Sequence, residues 1–134
     1  MANSLTTQIL IDGPRNAVVK ATATLDTSNL ALTTIVDPAN FYDVPPQFRL
    51  MHIDYSITDQ LEVQLQWEGT PNSIMMPLAG RGRMSFIDFG GLTDNATSPT
   101  GRIQVLTTGW TSGTQIFTLV LEMVKVGKTN AGVR

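Results

Sequence analysis

From Leu61 to Glu68 the chain alternates apolar and polar residues without interruption. Leu61, Val63, Leu65 and Trp67 share one parity; Glu62, Gln64, Gln66 and Glu68 share the other. An extended strand sends successive side chains to opposite faces, whereas a helix would scatter these four apolar groups around its axis. The pattern therefore predicts a strand of an antiparallel sheet with one core face and one wet, polar face. The same period recurs. Val19, Ala21, Ala23 and Leu25 alternate with Lys20, Thr22, Thr24 and Asp26. Within residues 48–58, Ile53, Tyr55 and Ile57 alternate with His52, Asp54 and Ser56.

Further strands are predicted over residues 5–11, 30–36, 73–78, 84–87, 102–108 and 115–126, each bounded by turn-forming residues. Asp12-Gly13-Pro14-Arg15-Asn16 closes the first. Asp59-Gln60 predicts a hairpin between residues 48–58 and 61–68. Pro45-Pro46 marks residues 39–47 as an ordered loop, since proline donates no ladder hydrogen bond. Gly80-Arg81-Gly82-Arg83 reads as a bulge interrupting a strand that resumes at Met84, and residues 90–100 form the longest loop. Short strands at this spacing predict an all-β fold: a single-domain β-sandwich or jelly roll of about eight antiparallel strands. That domain covers residues 1–126 and begins with an N-terminal strand or arm. The sequence turns polar and small from Lys125, which predicts a flexible tail over residues 127–134.

Composition narrows the function. In 134 residues, 42% are hydrophobic and only 15% charged, against about a quarter charged in an ordinary soluble domain. A surface this poor in charge and rich in Thr, Ser, Gln and Asn suits coverage by a partner. With a net charge of −2 and scattered Lys and Arg, no electrostatic footprint for nucleic acid is expected. The chain has no cysteine, so disulfides and thiolate metal sites are excluded. Met1-Ala2-Asn3-Ser4 lacks the basic region of an export signal, and no apolar run is long enough to span a bilayer, so no membrane partner is expected.

Candidate chemistry is sparse. His52, Asp54 and Ser56 share one strand face, but catalytic triads draw their members from separate elements and need an oxyanion hole. A polar face is the reading adopted. With one histidine and carboxylates in no EF-hand spacing, no metal or cofactor is expected. Asp88-Phe89-Gly90 spells the kinase magnesium triplet without the rest of a kinase, and Asn95-Ala96-Thr97 is a sequon that marks an exposed loop. No catalytic residue is assigned. Interfaces use aromatic anchors, and Phe86, Phe89 and Trp110 lie at loops, whereas Trp67 continues a core face. Leu5 and Thr7 on the first strand, Arg81 and Arg83 in the glycine-rich segment, and these three aromatics are the candidate interface residues.

The words Trp67-Glu68-Gly69-Thr70, Leu78-Ala79-Gly80-Arg81-Gly82-Arg83-Met84 and Phe89-Gly90-Gly91-Leu92, with the final run Phe117-Thr118-Leu119-Val120-Leu121-Glu122-Met123-Val124-Lys125, resemble the capsid decoration (cement) proteins of tailed bacteriophages over residues 50–126. The resemblance implies a β-sandwich or jelly roll made in the host cytoplasm and carried on the virion exterior. Its implied partner is the major capsid protein, and its implied state a homo-oligomer, dimer or trimer, stabilising joints of the shell. Two alternatives stand beside it: a tail or baseplate accessory subunit, and a carbohydrate-binding module that stacks sugars on Trp110, Tyr42 or Tyr55.

Overall fold

The computed structural model describes residues 3–42, 44–58 and 60–126, with Phe89 described by its backbone alone. Nine strands run in chain order: β1 (Ser4–Asp12), β2 (Asn16–Leu25), β3 (Thr33–Val36), β4 (Gln47–Ile57), β5 (Glu62–Trp67), β6 (Ser73–Leu78), β7 (Arg81–Ser85), β8 (Ile103–Thr108) and β9 (Gln115–Val126). Two single 3-10 turns, Pro38–Asn40 and Ile87–Phe89, lie between them.

The strands form two antiparallel sheets, ordered β1-β2-β9-β4-β7 and β3-β8-β5-β6. The pairings nest: β2 with β9, β3 with β8, β4 with β7 and β5 with β6. The β4–β9 and β5–β8 ladders then join these pairs into the two sheets. A long hairpin rolled onto itself gives this order, so the chain is a jelly roll of eight strands with β1 added at one edge.

The core is the space between the sheets. Val19, Ala21, Ala23 and Leu25 of β2 are buried, as the alternation predicts, and Ala17 extends the same row. From the facing sheet, Val63, Leu65 and Trp67 of β5 meet Phe117, Leu119 and Leu121 of β9 in one cluster with Ile103 and Val105 of β8. Small alanines on β2 let the large side chains opposite interdigitate at native density. In β4 the buried residues are Phe48 and Leu50, then Ile53 and Ile57. A bulge between Leu50 and His52 shifts the parity, which leaves Met51 as the extra residue.

Two expectations are corrected. β4 and β5 do not form a hairpin: β4 pairs with β7 and β9, while β5 pairs with β6 and β8 in the other sheet. Their connection, which includes Asp59 outside the described residues, crosses between sheets, because both strands are sealed on one face only and must present those faces to each other. The turn at Ala79-Gly80 is likewise a crossover between sheets, and Gly80 to Arg83 holds no bulge. Gly80 adopts φ +73 at the turn, after which Arg81–Ser85 is a strand of the opposite sheet. Lys125 lies in β9, within the predicted strand 115–126, and is buried. The tail itself, residues 127–134, lies outside the described residues.

Gly101 adopts φ +85, and a Cβ there would run into the Pro46 carbonyl oxygen. We expect Gly101→Ala to destabilise the domain by more than about 1 kcal/mol, measured by urea denaturation, since both conformation and space are wrong for a side chain.

Candidate functional site

A β-sandwich must manage its sheet edges, because an unpaired strand offers a row of backbone donors and acceptors to any other chain. Among the described residues there are four edge strands. β3 is four residues long, with a register break between Thr34 and Val36. β6 carries Pro77 and a break opposite Leu65–Gln66. β7 is five residues long and bears Arg81 and Arg83. Each is blunted by shortness, charge, proline or irregularity. β1 differs: it runs for nine residues, Ser-Leu-Thr-Thr-Gln-Ile-Leu-Ile-Asp, with no proline and no charge before Asp12.

β1 also overhangs the opposing four-stranded sheet. Its register places Leu5, Thr7 and Ile9 beside the core-facing Ala23, Ala21 and Val19, yet only Leu5 is even half-buried. Ile9, Leu10 and Ile11 remain 40%, 46% and 51% exposed in succession. Ile11 also borders a shallow groove of about 330 Å³ on the outer face of this sheet, with Val18, Met51, Ile87 and Val124. Exposed apolar side chains along an open sheet edge are the kind of surface that interaction sites use.

The overhanging strand is clamped at both ends. The Asn3 side chain donates to the Ser28 carbonyl (3.0 Å) and hydroxyl (3.2 Å), and its oxygen accepts from Asp26 N–H (2.9 Å), Thr27 N–H (3.1 Å) and the Thr27 hydroxyl (3.2 Å). At the other end Asp12 accepts from Lys125 Nζ (2.7 Å) and from the Tyr42 N–H (2.9 Å). Lys125 has no exposed side-chain surface; it donates a second bond to the Tyr42 carbonyl (3.0 Å) and lies against the Phe41 and Tyr42 rings. The Lys125 hydrogen bond, helped by the Tyr42 N–H, holds the Asp12 carboxyl below its ordinary range. The first strand is thus a fixed element of the sheet rather than a loose arm.

The other candidates fall in different places. Arg81, Arg83 and Phe86 gather at the β7 edge, across the five-stranded sheet from Leu5 and Thr7. Arg83 is engaged by Asp54 (2.9 Å) and Glu122 (3.6 Å) along the outer face. Asp54 is therefore paired with an arginine, and His52 stands opposite Ser85 and Glu122 in the ladders. Phe86 is half-buried against the core, and the Phe89 side chain lies outside the described residues. Trp110 is half-buried at the far end of the sandwich. Its backbone N–H donates to Asn29 Oδ1 (2.9 Å), and its indole Nε1 donates to the Gly113 carbonyl (3.0 Å), stapling the turn.

Tyr42, Tyr55 and Trp110 share no surface. Tyr42 sits beside Lys125, and Trp110 lies near Gln115, roughly 30 Å away along β9. Tyr55 packs against the core with its ring under Gly82.

Sequence reasoning missed two features. Lys125 continues the inward parity of Phe117, Leu119, Leu121 and Met123, so a lysine at a core position was the available signal of an enclosed cation with an acidic partner. The polar face of β5 is also less wet than the alternation implies. Gln66 donates to Gln64 (2.8 Å), Asn72 bridges Gln66 (3.0 Å) and Gln104 (2.8 Å), and Gln104 donates to Glu68 (3.0 Å). Arg102 and Thr100 close on Glu68 at 3.1 and 2.6 Å. This face satisfies itself, and Gln104 is only 9% exposed. Among the described residues no group of three or more His, Cys, Asp or Glu is placed to hold a metal ion.

No family model matches the chain. No curated protein matches it. Among solved structures, the chain is similar to a cupin domain from Bordetella pertussis Tohama I at 9% identity and TM-score 0.38, covering 94% of this chain and 98% of that one. It is also similar to a cupin superfamily protein from Desulfitobacterium hafniense DCB-2 at 8% identity and TM-score 0.34, covering 90% and 79%. Likeness at this level leaves the jelly roll resting on the chain's own strand pairing.

Proposed function

We propose that this protein is a structural subunit of a tailed-phage virion that sits on the outside of the capsid shell and stabilises joints between major capsid subunits. The observation that carries the reading is β1: a long edge strand with no charge before Asp12, clamped at both ends and left open along its side. Strand addition to such an edge gives affinity through main-chain hydrogen bonds without any pocket. The sequence resemblance to phage decoration proteins and the low charge point the same way. A cement protein works through many copies of a modest contact, since simultaneous engagement of neighbouring shell subunits raises avidity.

Co-sedimentation with shells that lack this chain tests the proposal. Because the surface is poor in charge, we expect binding to persist at about 0.5 M salt, where exposed ion pairs are screened beyond roughly 4 Å. Failure to bind such shells at any salt concentration contradicts it.

A further inference from the structure

We infer that β1 is the seam of a homodimer, in which two copies pair β1 with β1 across a two-fold axis centred on Thr7 and fuse their five-stranded sheets into one. The inference rests on the assembly reading above for its purpose, and on the strand itself for its geometry.

Only a two-fold axis perpendicular to the sheet relates two copies of one edge strand as antiparallel neighbours. That operation keeps the core faces of both copies on the same side, so directly opposed residues must share parity. The regular part of β1 ends at the break between Ile9 and Ile11. Within it, an axis at Thr7 sets Leu5 opposite the second copy's Ile9, Thr7 opposite Thr7, and Thr6 opposite Gln8. Aliphatic meets aliphatic on the inner face, threonine meets threonine on the axis, and polar meets polar outside. Such cross-strand pairs are the favourable ones. An axis at Thr6 or Gln8 loses this match, since Leu5 then meets Thr7 or the irregular Ile11.

Charge argues for a second copy over an unrelated strand. Self-pairing across a two-fold brings like residues together, and any charge near the axis would repel its own image. β1 has none between Ser4 and Ile11. Its one charge, Asp12, lies at the strand end and is neutralised by Lys125. Both clamps, Asn3 and Asp12, hold the strand on its β2 side and leave the open side clear for a ladder. The exposed Ile9 and Leu10 add apolar surface that the backbone ladder alone would lack. A two-fold unit is also bivalent, which is what bridging two shell subunits requires.

Analytical ultracentrifugation of the full chain tests this. We expect a dimer at micromolar concentration, and a Thr7→Lys variant that keeps its circular dichroism spectrum while its dimer weakens more than about tenfold, because two ammonium groups meet on the axis. The chain has no cysteine, so Thr7→Cys is expected to cross-link to itself on mild oxidation, whereas Ile74→Cys on the β6 edge is not. A monomeric wild-type chain overturns the inference. So does a dimer that Thr7→Lys leaves intact, or equal cross-linking at both cysteines. A monomer found on virions would sink the seam and spare the decoration reading; a dimer absent from virions would do the reverse.

Discussion

Trp67→Ala is expected to lower the unfolding free energy by about 3–5 kcal/mol, the range for truncating a buried tryptophan. Trp67 is 1% exposed at the end of β5, opposite Ser73 of β6 and Ile103 of β8, and it is the largest fully buried side chain in the core. Removing it takes away apolar burial and leaves a cavity that two packed sheets cannot close. Since a domain of this size holds only about 5–15 kcal/mol in total, the variant sits at the edge of folding. Trp110→Ala is expected to cost distinctly less, because Trp110 is already half-exposed. Urea denaturation of both variants gives the comparison. A loss below about 1 kcal/mol at Trp67 would contradict the core as described.

The second large effect is at the buried lysine. Asp12→Ala leaves the Lys125 ammonium enclosed with the Tyr42 carbonyl as its remaining hydrogen-bond acceptor. Lys125→Met removes the charge and keeps an apolar stem in the same space. Removing the carboxylate, which strands an enclosed cation, is therefore expected to destabilise more than replacing the cation by an apolar side chain. The pair also sets an acid limit. Asp12 titrates below its ordinary range, so its contribution is complete above about pH 4 and is lost as pH falls through its lower folded-state value. Stability of the wild type should fall in that interval, and Asp12→Asn should flatten the fall. Equal acid slopes in the two proteins would show that the Asp12 bond does not contribute to folding.

Much of the fold was legible because the strands alternate cleanly. β2, β5 and β9 have their inner residues where the period of two places them, and Gln115–Val126 is a strand over the whole expected range. What the alternation does not encode is which strands are neighbours. Residues 48–58 and 61–68 adjoin in sequence and read as a hairpin, yet in a jelly roll they belong to opposite sheets, a long-range choice set by covering both apolar faces at once. The bulge at Met51 was hidden for a related reason: an extra residue shifts parity without any turn-forming signal. At the candidate site, Leu5 and Thr7 were identified from an apolar strand near the chain start. That this strand lies at a sheet edge, overhangs the opposing sheet and is clamped by Asn3 and Asp12 depends on contacts more than twenty residues away.

The central claim is that this jelly roll is an exterior subunit of a phage shell, and cryo-microscopy of the parent virion tests it most directly. The expected map shows nine-stranded domains on the outer surface over joints between capsid subunits, with β1 edges facing each other in pairs. Purified particles that contain no copy of the chain, or that carry it only in the tail, would contradict the claim.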